Sequence, residues 1–322
     1  MAGPPGNRAL RSDDIWGVAA FFDPLASPRL LENLETFGRG VRRQGLPLLV
    51  AELALGDAPH RVPESAADRV LRFRSPDVLW HKERLLNLAV RALPPACRHV
   101  VWLDADIVFE NDEWVAQTRD RLTVDVVVQP FDTASWLPAG VTDPVSASGA
   151  RTQHGIGYTL MQRDDRSRAL SNYLEHGHTG FGWAFRRSIL TRHGYYDGLI
   201  IGGADIVMAH AVYDDEEFFN GRNWVARRLA PRLLRHAAEW ASGVRPDVKG
   251  SVSYTPGTVH HLWHGEVEGR RYVERLEILR AADFDPAVDI TLNEDRCWTW
   301  GSPKPELHRA LRDYFAGRRE DG

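Results

Sequence analysis

The chain has 322 residues, of which 43% are hydrophobic and 26% are charged, and its formal net charge is -4. This composition indicates a globular protein with a sizeable core, because disordered chains are poorer in apolar residues and more unbalanced in charge. The slight acidic excess argues against a general nucleic-acid binder, which needs clustered Lys and Arg. The two cysteines, Cys97 and Cys297, indicate neither a disulfide framework nor a metal-binding motif and favour a reducing compartment.

The N-terminus lacks the apolar run of a signal peptide, and no stretch approaches the ~20 apolar residues that span a bilayer. We therefore expect a cytoplasmic protein, with peripheral attachment to a membrane left open. Residues 1–12 are rich in Gly, Pro and Arg and are predicted to form a flexible arm. No repeat or linker divides residues 13–290, which predicts one domain, followed by a polar extension over 291–322.

Strand and helix patterns alternate over the first ~130 residues. Ser27 and Pro28 are a good helix start, as cap and first-turn residue, for a helix that ends near residue 45. A second helix is predicted over 77–93. Apolar runs predict strands at 15–22, 47–53, 70–73, 100–103 and 124–128. The alternation predicts an α/β fold with a mainly parallel sheet flanked by helices.

The second half has a less regular pattern. Residues 132–178 are rich in Gly, Ser and Thr and have weak periodicity, which predicts an irregular functional loop or lid. Beyond them the pattern predicts a short strand at 182–185 and helices over about 223–240 and 269–282.

The sharpest candidate for a functional site is Asp104-Ala-Asp106, at the end of an apolar strand. Open α/β sheets place ligands at the carboxyl ends of strands, and side chains two residues apart on an extended chain point the same way. Both carboxylates can therefore face one ligand or one hard cation such as Mg²⁺ or Mn²⁺. The same spacing in Asp283-Phe-Asp285 follows a polar helix and shows that the pattern also arises by chance.

A histidine cluster, His260-His-Leu-Trp-His264, is the second candidate. Neutral imidazole binds borderline divalent metals, so a histidine here can complete a site with Asp106. On a strand His261 and His264 point in opposite directions, and we expect one ligand rather than two. We favour His264 and His261 over His260, and the choice between the first two stays open.

Three further segments contain residues suited to a site. Gly202-Gly-Ala-Asp205 can bring backbone close to a ligand, and Asp205 is either a helix cap or a general base. The segment 178–185, with small residues beside aromatic ones, fits a shallow sugar site or a glycine-kinked core strand. Lys82 and Arg84 can bind phosphate or orient an aspartate, or lie on a solvated helix face.

Two enzyme families have an Asp-x-Asp motif that ends a strand. Asp104, Asp106 and Val108 match the motif of haloacid-dehalogenase-like phosphatases literally. That motif normally lies on the first strand, however, whereas about a hundred residues precede it here. The second metal motif of that family also requires an acid where this chain has Ala209, so the phosphatase remains an alternative only.

Over residues 14–285 the chain resembles the GT-A glycosyltransferases, especially bacterial family-2-like and galactosyltransferase-like members. Four segments in the expected order carry the resemblance: WHKERLLN at 80–87, WLDADIVF at 102–109, the 180–185 stretch with GGAD at 202–205, and HLWHG at 261–265 with Arg271-Tyr272. The resemblance implies a single GT-A (Rossmann-like) domain, with a nucleotide-binding half over 13–131 and an acceptor half over 132–290.

The resemblance also implies roles for particular residues. Asp104 would contact the nucleotide ribose, Asp106 would bind Mn²⁺ or Mg²⁺ together with His264 or His261, and Asp205 would deprotonate an acceptor hydroxyl in an inverting reaction. Other residues expected around the donor are Phe22, Lys82, Arg84, Gly182, Trp183, Gly203 and Arg271. The expected partners are a nucleoside-diphosphate sugar, with a UDP-sugar favoured, and a sugar or small-molecule acceptor. A non-catalytic sugar- or nucleotide-binding protein of the same fold is the second alternative.

Overall fold

The computed structural model describes residues 13–142, 150–172, 175–272, 274–318 and 320–321. The strands in these ranges are β1 (Ile15–Phe22), β2 (Leu48–Leu55), β3 (Arg69–Ser75), β4 (His99–Leu103), β5 (Ile107–Phe109), β6 (Val127–Gln129), β7 (Thr133–Trp136), β8 (Arg151–His154), β9 (Gly182–Arg186), β10 (Val252–Tyr254), β11 (Thr258–His261), β12 (Ile290–Leu292) and β13 (Trp298–Trp300).

The helices in the same ranges are α1 (Pro28–Arg43), α2 (Lys82–Ala92), α3 (Trp114–Val124), α4 (Ile156–Met161), α5 (Arg166–Ser171), α6 (Arg187–His193), α7 (Ala204–Val212), α8 (Glu216–Phe219), α9 (Pro231–Val248), α10 (Glu274–Ala281), α11 (Pro286–Asp289) and α12 (Pro305–Ala316). Short 3₁₀ turns lie at Glu64–Ala66, Ala226–Arg228 and Val267–Arg270. None of the helices in the described part of the chain combines the length and apolar character that a bilayer crossing requires.

Seven strands of the described chain form the central sheet, in the order β10-β6-β9-β4-β1-β2-β3. All neighbours are parallel except β9, which runs antiparallel to β4 and to β6. One face packs against α2, α7, α9 and α12, and the other packs against α1 and against β11 of a second sheet. The predicted α/β architecture with a mainly parallel sheet flanked by helices is therefore confirmed.

Local sequence explains β1 and α1. Every residue of β1 is apolar or glycine, as expected for a strand that is covered on both faces. The Ser27 hydroxyl accepts a hydrogen bond from the Leu30 amide at 3.2 Å, and Pro28 occupies the first helical position, as predicted. The second helix begins later than predicted, at Lys82, because the Trp80 amide donates to the Ile200 carbonyl at 2.8 Å and holds the preceding segment out of the helix.

The prediction of an irregular stretch over 132–178 is wrong for most of its described residues. They form β7, β8, α4 and α5, and β7 and β8 belong to a second sheet with the order β5-β11-β7-β8. Their partner β11 lies more than a hundred residues further along the chain, so local periodicity could not reveal the pairing. Residues 143–149 and 173–174, and the predicted arm at 1–12, lie outside the described residues.

Two predicted helices are displaced. The helix expected at 223–240 is α9, which starts at Pro231 because proline favours the first turn, and α10 starts at Glu274 rather than near residue 269.

The polar extension contains α12, whose Leu311, Tyr314 and Phe315 lie in the same core cluster as Trp102. The residues after 290 therefore pack into the main core.

Candidate functional site

A cavity of about 350 Å³ opens at the carboxyl ends of β1 and β4. Open α/β sheets bind ligands at this edge, where the strand ends leave polar groups unpaired. The sequence-predicted residues that line it are Phe22, Lys82, Asp104, Asp106, Gly203, Asp205, His261 and His264. The fold thus brings together residues that are up to 242 positions apart in the sequence.

Asp104 is held by groups from two elements. Lys82 donates to its Oδ1, and the Phe181 amide donates to its Oδ2 at 3.2 Å. Burial alone would lower the pKa of Lys82, but Asp104 and Glu83 outweigh that effect and raise the pKa above its ordinary value. Lys82 therefore contacts an aspartate and lies inside the cavity lining rather than on a solvated helix face.

Asp106 lies at the centre of a cluster with two histidines. His264 Nε2 is 2.9 Å and His261 Nε2 is 3.6 Å from Asp106 Oδ2, and one possible ligand atom from each residue lies within 4.8 Å of the others. Both histidines thus face Asp106, and the expectation that they point in opposite directions is wrong. Strand β11 ends at His261, where the Leu262 amide donates to the Asp106 carbonyl at 2.7 Å, and the chain then turns so that His264 returns to the same carboxylate. His260 points away, towards Glu110.

The charge states of Asp106 and His261 suit a divalent cation. Burial alone would raise the pKa of Asp106, but the neighbouring His261, His264 and Arg270 outweigh it and hold the pKa below its ordinary value. Burial lowers the pKa of His261, which keeps its imidazole neutral and able to coordinate a metal. Asp106 Oδ1 is buried and has no hydrogen-bond partner among the described residues. A carboxylate oxygen without a partner beside two imidazoles fits a metal site.

Glu320 adds a second carboxylate that the sequence did not indicate. His264 Nδ1 donates to Glu320 Oε2 at 2.7 Å, while its Nε2 faces Asp106. Burial lowers the pKa of His264, but its hydrogen bonds to Asp106 and Glu320 outweigh burial and raise it. Carboxylates that hold the second nitrogen of a metal-binding histidine fix the orientation of its ring. The polar sequence around Glu320 contains no pattern that predicts this contact.

Asp205 lies in the first turn of α7 and lines the cavity. The cap of α7 is Gly203, so the helix-cap role considered for Asp205 is wrong. Thr179 Oγ1 donates to Asp205 Oδ2 at 2.9 Å. Gly202 and Gly203 have φ values of 85° and 99°, and a Cβ at Gly202 would lie 3.0 Å from Arg275 Nη1. The glycines therefore permit both a left-handed turn and the close approach of an arginine.

Four residues expected around the donor do not line the cavity. Arg84, two positions after Lys82 on α2, points elsewhere and pairs with Asp197 at 3.3 Å. Arg271 is exposed and has a φ of 44°, whereas its neighbour Arg270 lines the cavity.

The other two belong to the core. Gly182 is paired with Leu103, and a Cβ there would lie 2.9 Å from the Trp102 carbonyl, so the glycine serves strand packing. Trp183 is 2% exposed and donates to the Thr179 carbonyl at 2.8 Å. The core-strand alternative given for this segment describes both residues.

Phe181 is a site residue that sequence reasoning missed. Its φ of 71° places it in the left-handed region, where a bulky side chain is uncommon. In that conformation its amide reaches Asp104 and its ring stacks on His261, with ring centroids 5.3 Å apart and planes 18° apart. Backbone strain of this kind persists where surrounding contacts determine it, often at functional sites. The preceding Gly180 was the available signal.

No protein-family model matches this sequence, and no significantly similar curated protein was found. Among solved structures, glucosyl-3-phosphoglycerate synthase from Mycobacterium tuberculosis in complex with Mn²⁺, UDP and glucosyl-3-phosphoglycerate matches 94% of this chain and 95% of its own, at 13% identity and a TM-score of 0.43. TarS from S. aureus matches 84% of this chain and 41% of its own, at 9% identity and a TM-score of 0.39.

The catalytic domain of Drosophila beta1,4galactosyltransferase 7 in complex with xylobiose matches 92% of this chain and 98% of its own, at 10% identity and a TM-score of 0.35. All three TM-scores are below 0.5. The assignment of an activity to this chain therefore depends on the chemistry of its own cavity.

Proposed function

We propose that this chain is a GT-A glycosyltransferase that requires a divalent cation and transfers a sugar from a nucleoside-diphosphate donor to an acceptor hydroxyl. The supporting observation is the convergence of Asp106, His261 and His264 in a cavity that also contains Asp205. A cation site beside an ionisable carboxylate suits a reaction in which a diphosphate departs and a hydroxyl loses its proton.

Asp106, His261 and His264 would hold the cation, which when bound supplies positive charge to the departing diphosphate. Imidazole suits transition metals better than Mg²⁺, so we expect Mn²⁺ to bind more tightly than Mg²⁺. Asp104, held in place by Lys82, can accept hydrogen bonds from the ribose hydroxyls of the donor. We take a UDP-sugar as the first donor to test.

Asp205 is the candidate general base of an inverting reaction. Its carboxylate accepts the proton of the acceptor hydroxyl while the hydroxyl oxygen bonds to the anomeric carbon, on the face opposite the leaving group. The bond between the anomeric carbon and the donor's phosphate oxygen breaks, and the nucleoside diphosphate keeps that electron pair. Thr179 donates to Asp205 Oδ2, which leaves Oδ1 to accept the proton.

The phosphatase alternative has little support in the cavity. The acid that its second metal motif needs is replaced by Ala209, which is 1% exposed within α7. The non-catalytic alternative uses the same cavity but needs no base. Removal of the Asp205 carboxylate separates the two, because a transferase then loses turnover whereas binding is retained.

A thermal-shift screen of nucleotide sugars with and without Mn²⁺ tests the proposal. A donor that binds only the folded protein raises its melting temperature by ligand linkage, and we expect a shift only when donor and Mn²⁺ are both present. Asp106→Asn should lose the shift, while Asp283→Asn, in the surface copy of the same spacing, should keep it. Absence of a shift with every UDP-, GDP- and dTDP-sugar would reject the proposal.

A further inference from the structure

A buried arginine without a counter-ion lines the cavity beside α7. Arg275, in α10, is 6% exposed. Within the described residues its guanidinium forms no ion pair, and its Nε is buried without a hydrogen-bond partner. A buried cation is costly unless a negative charge compensates it. This position therefore suits an anionic ligand.

The guanidinium of Arg275 is held in one orientation. Nη1 and Nη2 lie against the Gly202-Gly203 turn, where added Cβ atoms would be 3.0 and 3.2 Å away, and Nη1 donates to the Tyr314 hydroxyl at 3.3 Å. The Tyr272 ring centroid lies 5.0 Å from the guanidinium carbon. A planar guanidinium fixed in this way is suited to bidentate binding of a carboxylate or phosphate.

A second buried arginine, Arg270, shares Tyr272 and Tyr314 with Arg275 as neighbours. Arg270 Nη2 lies 2.8 Å from His264 Nε2, and Nη1 donates to the Tyr272 hydroxyl at 3.0 Å, so Arg270 belongs to the histidine cluster. Arg275 instead contacts the turn that starts the helix of Asp205. An anion on Arg275 would therefore lie beside the turn that leads into the helix of Asp205.

We propose that Arg275 binds a phosphate or carboxylate group of the acceptor, which makes the acceptor an anionic molecule. The inference rests on the proposed function, because that function makes the Asp205 side of the cavity the acceptor side. The competing source of the same chemistry is the donor's own diphosphate.

Inorganic phosphate is the probe, and the full chain is first saturated with Mn²⁺ and UDP so that the donor position is filled. We expect phosphate to raise the melting temperature of the wild type beyond the effect of chloride at equal ionic strength. Arg275→Gln should lose this response, and Arg275→Lys should bind phosphate on the order of tenfold more weakly, because lysine lacks the bidentate fork. Arg280→Gln, on the exposed side of the same helix, should respond as the wild type does.

The same titration is repeated without Mn²⁺ and UDP. Three outcomes would overturn the inference: the wild type gives no phosphate-specific response, Arg275→Gln gives an equal response, or the wild type responds to phosphate without Mn²⁺ and UDP but not with them. The last would assign the anion to the donor. If Arg275→Gln does not fold, Arg275→Lys decides, since it keeps the charge. If phosphate raises the melting temperature but Mn²⁺ and UDP do not, the proposed function is contradicted and the anion site on Arg275 remains.

Discussion

Asp106 lies where two distant parts of the chain meet. It follows β4, and β11 with the loop after it brings two histidines to its Oδ2, while its Oδ1 is left without a hydrogen-bond partner within the described ranges. Asp104, two residues earlier, has both oxygens engaged, by Lys82 and by the Phe181 amide. The two carboxylates of one motif therefore differ, because only Asp106 keeps an oxygen without a hydrogen-bond partner among the described residues.

Asp106→Asn tests that difference. The variant keeps the side-chain shape but loses the negative charge. Loss of a group that only hydrogen-bonds to a metal ligand weakens metal binding by about 10–100-fold, so we expect loss of the ligand charge itself to weaken Mn²⁺ binding at least about 100-fold. Titration calorimetry or the electron paramagnetic resonance of free Mn²⁺ measures the affinity. The control is Asp283→Asn, whose carboxylate pairs with Arg232 at the surface. Wild-type affinity in Asp106→Asn would remove the cation site from this cluster.

Asp205→Asn separates catalysis from binding. Loss of a general base lowers kcat by about 10²–10⁴-fold, and we expect this fall with little change in the KM of the donor. Steady-state kinetics with the donor found in the thermal-shift screen measures both. Glu217→Gln, an exposed acid on α8, is the matched control. An unchanged kcat would show that Asp205 is not the base and would favour a different role for its carboxylate.

At the scale of elements, local sequence pattern predicts some of the segments around the cavity and fails to predict others. The patterns of β1, α1 and β4 are continuous and self-contained, so their positions could be predicted from the sequence. The pattern of β7 and β8 is weak because their stability comes from pairing with β11 and with each other. The turn after β11, which brings His264 beside His261, also depends on the pairing of β11 with distant strands and could not be predicted from local pattern.

The segment after α12 is the least predictable element of the site. Its Glu320 accepts from His264, and its Asp321 accepts from the Ser27 hydroxyl, so both carboxylates tie the end of the chain to the cavity side of the sheet. Arg318 also pairs with Glu320 and lies 5.1 Å from the Trp80 ring centroid. These contacts are polar and non-local, and neither hydrophobic periodicity nor a motif could indicate them.

Glu320→Ala tests whether this segment supports the cation site. His264 loses the acceptor that fixes its ring, and we expect Mn²⁺ affinity to fall by about 10–100-fold while the melting temperature without metal changes little. Calorimetric titration of Mn²⁺ into the full chain gives the affinity. Glu306→Ala, at the exposed start of α12, should behave as the wild type. Equal Mn²⁺ affinities of the two variants would restrict Glu320 to a packing role.

At the scale of the whole molecule, burial of ionisable groups couples folding to pH. His81, the residue that precedes α2, is completely buried, and burial lowers its pKa from 6.5 to about 4, although contacts with Asp77 act in the opposite direction. Between these two values the unfolded chain binds a proton at His81 that the folded protein does not. The contribution of His81 to stability is therefore present above pH 6.5 and is lost as the pH falls towards 4.

His81→Gln removes this proton uptake. One pKa unit corresponds to about 1.4 kcal/mol, so the free energy of unfolding of the wild type relative to His81→Gln should fall by about 2 kcal/mol between pH 7 and pH 5. Urea denaturation of both proteins at the two pH values measures the difference. A difference that stays constant with pH would show that His81 is protonated equally in the folded and unfolded states.

The sequence by itself determined the fold class and the position of the Asp104-Ala-Asp106 motif, because buried parallel strands need continuous apolar runs and their ends expose polar groups. It also identified His261, His264 and Asp205 as candidates from their residue types. Only the tertiary structure decided that both histidines face Asp106, that Lys82 holds Asp104 and Arg84 does not reach the cavity, and that Arg275 and Glu320 belong to it. These facts depend on pairing between distant strands and on where each chain turn ends, which short-range periodicity does not encode.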